Sequence, residues 1–328
     1  MTATPHSVPT VVTVIGGGPM GAGIAQVFAA AGANVTIVET GRDRADAALQ
    51  RVSAGLDRAA AKNRLAEAPE HVLSRVDVVC SLTELPTDSE LVVEAVPENI
   101  NLKIEVLGAA EKLVEPTTVL ASNTSSLSIT ELAAALLRPE RVVGMHFFNP
   151  VPTSQLVEIV RAPETSDDTV AAALAWVRAL GKADVVARDS PGFASSRLGV
   201  ALGLEAIRML EEGVADAESI DRAMELGYRH PMGPLRSTDL VGLDVRLAIA
   251  EHLCATLGPR FTPPKLLRAK VAEGNLGRKT GQGFFAGPAE HRQRRNHDSN
   301  RTGRRRVLSE PRWRRCDRAR SAGGVERA

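Results

Sequence analysis

Two polar residues interrupt otherwise apolar runs in "RVVGMHFFNPVPTSQLVEIV", residues 141–160. His146 stands in the first run and Glu158 in the second, and "NPVPT" between them has the composition of a chain reversal. If that segment turns the chain, the histidine on one strand and the glutamate on the next can meet. A neutral imidazole accepts a proton near neutral pH, and a carboxylate beside it fixes the tautomer and favours the imidazolium. Such a pair can exchange a proton with a hydroxyl or a carbonyl oxygen. A histidine beside Phe147 and Phe148 is also what a buried structural histidine looks like. Taken alone, the stretch leaves both readings open.

A second chemical feature lies within the first forty residues. "VVTVIGGGPMGAGIAQVFAAAGANVTIVE" runs from an apolar strand through a glycine cluster to a helix, a second strand and an acid. Gly16, Gly18 and Gly21 fall at the G-x-G-x-x-G spacing, with Gly17, Pro19 and Met20 between them. The first glycine permits a tight turn, the second lets the backbone approach a pyrophosphate, and the third lets the helix pack closely on the strand. A helix from about residue 20 to 31 aims its N-terminal amides at the phosphates. Glu39 ends the second strand, where an acid can hydrogen-bond ribose hydroxyls. Its charge opposes a 2′-phosphate, so NAD is expected over NADP, with Arg42 offsetting part of that preference.

These residues need elements to carry them. Strands are expected near 76–80, 91–94, 118–123 and 183–187, and helices over 40–66, 101–113, 128–136 and 167–180. The helix at 128 opens on Ser128 as N-cap with Glu131 three residues on. Alternating strands and helices specify an α/β fold, a Rossmann-type doubly wound, mostly parallel sheet. Beyond "RDSPGF" only helices are expected, over 194–212, 216–226, 234–257 and 264–273. The expected organisation is an NAD-binding domain over 10–188, a helical substrate and dimerisation domain over 189–286, and a tail over 287–328. The face of "RLGVALGLEAIRML" suits burial against another helix, including one from a second subunit.

The composition of 44% hydrophobic and 24% charged residues is that of a globular protein. The three cysteines, Cys80, Cys254 and Cys316, show no metal-ligand spacing, so no metal is expected, and a reduced compartment is the simpler reading. No run approaches the length of a membrane span; a cytoplasmic, soluble protein is expected. The net charge of +1 divides unevenly, +8 over residues 287–328 and −7 over the rest. Rich in arginine and poor in apolar residues, the tail cannot bury enough surface to fold alone. Clustered arginine attracts phosphate, but aromatic interleaving is missing, and a disordered extension is preferred to a nucleic-acid-binding arm.

In their order and spacing, "VIGGGPMGAGIAQVFA", "LVVEAVPENINLKIEV", "ASNTSSLSITELA", "GMHFFNPVP", "LVEIV", "DSPGF", "PMGP" and "GRKTGQGFF" resemble the 3-hydroxyacyl-CoA dehydrogenase family, in its stand-alone bacterial 3-hydroxybutyryl-CoA form. The resemblance covers roughly residues 10 to 286. It implies NAD-dependent interconversion of (S)-3-hydroxyacyl-CoA and 3-oxoacyl-CoA, a homodimer, and a place in fatty-acid β-oxidation or short-chain acyl-CoA metabolism. It implies His146 as base, Glu158 as its carboxylate, and Ser125 as donor to the substrate oxygen and neighbour of the cofactor. Glu98, Lys103 and Lys279 become cofactor contacts, and Lys62 a contact to the CoA portion. Ser196 stands where the family pattern has an asparagine; it is shorter and lacks the paired donor and acceptor of an amide. Two other readings share the scaffold: a dehydrogenase of a free hydroxy acid, and a non-catalytic NAD-binding protein of the lens-crystallin kind.

Overall fold

The computed structural model describes residues 7–286. Its first unit is built on one eight-stranded sheet. The chain runs β1 (Val11–Ile15), α1 (Pro19–Ala30), β2 (Asn34–Val38), α2 (Arg42–Ala60), α3 (Pro69–Leu73), β3 (Val76–Val79), β4 (Leu91–Glu94), α4 (Ile100–Glu111), β5 (Val119–Ser122), α5 (Ile129–Ala134), β6 (Val142–Phe147), β7 (Leu156–Arg161), α6 (Asp167–Ala179) and β8 (Ala183–Arg188). Strand order is β3-β2-β1-β4-β5-β6-β7-β8. From β3 to β6 every pairing is parallel. The central strands are consequently buried on both faces and read as continuous Val, Leu and Ile runs.

The β6–β7 pair is antiparallel. Its connection, residues 148–155, is too short for a crossover helix, so the chain can only fold back as a hairpin. The core beneath β1, β2 and β4 is formed by Val12, Val14, Ile24, Phe28, Val35, Ile37 and Val93, all essentially inaccessible. Ser128 caps α5 as its sequence suggests, accepting from the Glu131 N–H at 3.2 Å. Its hydroxyl also donates to Asp189 at 2.7 Å, and Asp189 accepts from the N–H and hydroxyl of Thr130.

The second unit begins at Pro191 and comprises α7 (Ser195–Glu211), α8 (Ala217–Gly227), α9 (Pro234–Val241), α10 (Leu243–Leu257) and α11 (Lys265–Ala272). Val200, Leu204, Ile207, Ile220, Leu235, Leu243, Leu253 and Leu267 form its core. Two buried aspartates organise the backbone around them. Asp221 accepts from the N–H groups of Leu235 and Arg236 at the start of α9. Asp239 accepts from Phe284 and Phe285, which docks the last residues of the unit. For both aspartates burial outweighs the amide donors and raises the carboxyl above its ordinary value.

Three expectations from sequence are corrected. The single helix expected over 40–66 ends at Ala60, where Lys62, Asn63 and Arg64 turn back on the carbonyls of Ala59 and Ala60. Asn63 takes φ +52°, and Pro69 then starts a separate short helix. The helix expected over 234–257 is two, because Gly242 adopts φ +104° and ψ 130°, outside any helical conformation. The region after 189 is also not purely helical, since Gly277 and Ala286 each form a β-bridge with Gln282.

Candidate active site

The glycine turn follows directly from β1. Gly16, at φ +97°, donates its N–H to the Val38 carbonyl at 2.9 Å. A Cβ at Gly21 would stand 1.8 Å from the Gly16 carbonyl oxygen, so α1 meets the strand at a distance that only glycine allows. Around Gly18 a Cβ would touch nothing within 4 Å. The middle glycine therefore faces open space, as a backbone that receives a ligand must. No side chain caps α1, which begins on Pro19; helix geometry leaves the N–H groups of Met20 and Gly21 without intrahelical acceptors. An anion is favoured there by both the donors and the helix dipole.

Glu39, one residue past β2, turns its carboxylate to this turn. It accepts from the Gly17 N–H at 2.7 Å and from the Thr40 N–H at 3.1 Å. Arg51 of α2 donates to the Gly17 carbonyl at 3.1 Å. Nothing in the sequence singled out Arg51; it sits mid-helix among similar residues, and only the packing of α2 on α1 brings it to the glycine turn. Open backbone at Gly18, uncapped amides and an acid at the end of β2 together fit a dinucleotide.

The next group stands at the end of β4. Glu94, fully buried, accepts from Lys103 at 2.7 Å, from the Val96 N–H at 2.7 Å and from the Ser122 hydroxyl at 2.6 Å. Lys103 is 1% exposed and bridges Glu94 to Glu98, which lies 3.3 Å from its ammonium. Glu98 in turn accepts from the Thr124 hydroxyl at 2.5 Å and the Ser125 N–H at 3.1 Å, with the Ser125 hydroxyl at 3.5 Å. The chain of contacts thus runs from a buried strand end to the half-exposed Ser125. The resemblance names Glu98, Lys103 and Ser125 but neither Glu94 nor Ser122. The available signal was an acid closing the apolar strand "LVVE".

His146 and Glu158 are direct cross-strand partners in the β6–β7 register. The His146 Nδ1 lies 2.8 Å from a Glu158 carboxylate oxygen, and both side chains are buried. The Phe148 ring packs beside the imidazole with centroids 4.4 Å apart. Asn123 accepts from the Phe147 N–H at 2.9 Å, tying the loop after β5 to this end of β6. With Nδ1 committed to the carboxylate, Nε2 is the nitrogen through which such a ring exchanges a proton.

Strand register places these groups on one edge. Ile15 pairs with Val38 and Glu94, Glu94 with Ser122, and Ser122 with Gly144. The glycine turn, Glu39, Glu98, Ser125 and His146 all lie beyond that row, at the carboxyl ends of the parallel strands. Between β2 and β4, which flank β1, chain order reverses; ligands of open α/β sheets bind outside such a switch point.

The remaining expected residues are carried by other elements. Lys62 is exposed in the turn after α2 and lines a cleft of about 470 Å³ with Arg58, Arg64 and Lys182. Ser196 is the second residue of α7 and half-buried. Lys279 is held by the carboxylate of Asp244, a partner 35 residues away that the sequence did not suggest. Burial would raise Asp244, but Lys279 and the Val245 amide hold it below its ordinary value. Residues 287–328, expected to form a basic tail, lie outside the described residues. Among the described residues no cluster of His, Cys, Asp and Glu is arranged to hold a metal ion, and no helix is long and apolar enough to cross a membrane.

Comparison with known proteins gives a consistent result. Residues 11–190 match the family model "3-hydroxyacyl-CoA dehydrogenase, NAD binding domain", and residues 192–287 match "3-hydroxyacyl-CoA dehydrogenase, C-terminal domain". A probable 3-hydroxybutyryl-CoA dehydrogenase of Deinococcus radiodurans is 44% identical over 273 residues, spanning 83% of this chain and 98% of that protein. The mitochondrial hydroxyacyl-coenzyme A dehydrogenase of Sus scrofa is 42% identical over 283 residues, covering 84% of this chain and 90% of its own length. Among solved structures, (S)-3-hydroxybutyryl-CoA dehydrogenase from Ralstonia eutropha superposes with a TM-score of 0.81 at 41% identity, over 85% of this chain and 99% of that one.

Proposed function

This chain belongs to the 3-hydroxyacyl-CoA dehydrogenase family of oxidoreductases, and from that premise we propose that it interconverts (S)-3-hydroxyacyl-CoA and 3-oxoacyl-CoA with NAD. The observation that carries the proposal is the buried 2.8 Å contact between His146 and Glu158 at the same sheet edge as the open glycine turn. Oxidising a secondary alcohol requires one group to take the hydroxyl proton and another to take a hydride. Bound nicotinamide supplies the hydride acceptor. His146 takes the proton through Nε2, and Glu158 stabilises the imidazolium that forms. In the reverse direction His146 returns that proton to the oxygen. Ser125 donates a hydrogen bond to the same oxygen, and the Glu98 carboxylate orients Ser125 through its N–H.

The remaining assignments follow from the same reading. Gly16, Gly17, Gly18, Pro19, Met20 and Gly21 cradle the pyrophosphate, and Glu39 recognises the adenosine ribose and disfavours NADP. Glu98, steadied by Lys103, and Lys279 complete the cofactor contacts. Lys62 meets the CoA portion, where its cleft is lined by further cations. Ser196 contributes to the substrate site with a shorter reach than an amide. The nucleotide-binding domain spans 10–188 and a helical domain, which builds a homodimer, spans 189–286. Initial rates of acetoacetyl-CoA reduction by NADH and by NADPH, set against free 3-oxoacids, test the assignment. CoA-ester turnover with NADH supports it, and turnover of free acids alone overturns it.

A further inference from the structure

The His146–Glu158 contact depends on where the hairpin between the strands returns, and that hairpin is gripped by a side chain that faces neither residue. Lys182, the residue before β8, is 9% exposed. Its ammonium donates to the Val151 carbonyl at 2.8 Å and to the Ser154 carbonyl at 2.6 Å. Next to it, the Ala183 N–H donates to the Gln155 carbonyl at 2.7 Å. Lys182 pairs with no carboxylate among the described residues. Burial lowers its ammonium below the ordinary value, and the other charged side chains lining its cleft, Arg58, Lys62 and Arg64, are cations. An ammonium buried without a counter-ion is costly. What compensates it here is a pair of carbonyl dipoles from one turn.

The opposite side of the turn is also held. Val151 is buried against α1, where a Cβ at Gly23 would come within 2.9 Å of the Val151 Cβ. The turn is therefore clamped between the nucleotide-binding helix and Lys182, and β7 leaves it only at Leu156.

We propose that Lys182 is a positioning residue for the His146–Glu158 pair, fixing the carbonyls of Val151 and Ser154 so that β7 returns with Glu158 opposite His146. The inference rests on the catalytic reading of that pair. A misplacement of about 1 Å at a reacting group can cost on the order of 10²-fold in rate, and the hairpin has no other charged anchor among the described contacts of residues 150–155.

The test is Lys182→Met in the full chain, which keeps an unbranched chain and removes the donors. Acetoacetyl-CoA reduction is followed with NADH and with NADH deuterated at the transferred position. The expected result is a kcat lowered roughly tenfold or more, a KM for NADH within about twofold of wild type, and a larger isotope effect as the chemical step becomes limiting. Lys182→Arg, which can reach both carbonyls, should recover much of the loss. A wild-type kcat in Lys182→Met, or a raised KM for NADH at unchanged kcat, overturns the proposal. Should Lys182→Met not fold, Gly23→Ala decides, because it presses on Val151 with Lys182 intact; lowered kcat at unchanged KM for NADH supports the clamp, and wild-type kcat refutes it. A wild-type rate in His146→Gln would instead remove the catalytic reading itself, leaving the two failures distinguishable.

Discussion

Replacing Lys103 with methionine should destabilise the nucleotide-binding unit by about 3 kcal/mol. Lys103 is the only cation beside Glu94 among the described contacts, and both side chains are almost wholly inaccessible. Removing one partner of a buried pair costs about 3–5 kcal/mol, because the other charge is left uncompensated. Glu94 would keep the Val96 N–H and the Ser122 hydroxyl, which places the loss near the lower end. In a domain of this size that corresponds to a Tm lowered by roughly 6–12 °C. Unfolding in urea is followed through Trp176, which packs against the sheet core, in a Trp313→Phe background that leaves it as the only tryptophan. Glu94→Gln in the same background completes a double-mutant cycle, and the double variant should recover about 1–3 kcal/mol over the sum of the single losses. A loss below about 1 kcal/mol with additive behaviour would refute the claim that these charges are buried as a unit.

Gly21→Ala should destabilise the protein without any ligand, since its Cβ meets the Gly16 carbonyl. Gly18→Ala, in open space at an ordinary φ of −62°, should melt like wild type yet bind NADH more weakly; calorimetric titration and thermal melts separate the two, and equal melting temperatures would contradict the packing argument. Glu39→Ala should raise KM for NAD more than for NADP, and equal changes would argue against ribose recognition. Hydrogen bonding by Arg178 holds Asp184 below its ordinary value. A depressed carboxyl contributes stability that is present above its unfolded value, near 3.9, and is lost as pH falls through its folded one. The difference in Tm between wild type and Arg178→Ala should therefore be small at pH 7 and vanish in acid; a gap that persists or widens in acid would reverse that sign.

Features set by neighbouring residues were legible in the sequence. The glycine turn after β1, the acid after β2 and the Ser128 cap depend on local geometry, and they stand where their residue types place them. The meeting of His146 and Glu158 was legible as a possibility, because a proline-containing connection joins two strand-like runs. Features set by packing were not. "PLRSTDLVGLDVRLAIAEHL" reads as one helix from its apolar spacing, and only the conformation of Gly242 divides it. For Lys103 the resemblance implies a cofactor contact, and its buried pairing with Glu94 depends on how α4 packs against β4. Arg51, Asp244 and Lys182 meet their partners across 28 to 35 residues of chain, a separation no local pattern reports.

The central claim is that His146 exchanges the proton of the substrate oxygen. The most direct measurement is kcat for acetoacetyl-CoA reduction by His146→Gln, with NADH affinity determined on the same preparation. A fall of roughly 10²–10⁴-fold with nearly unchanged NADH binding is the predicted result. A wild-type kcat would contradict it.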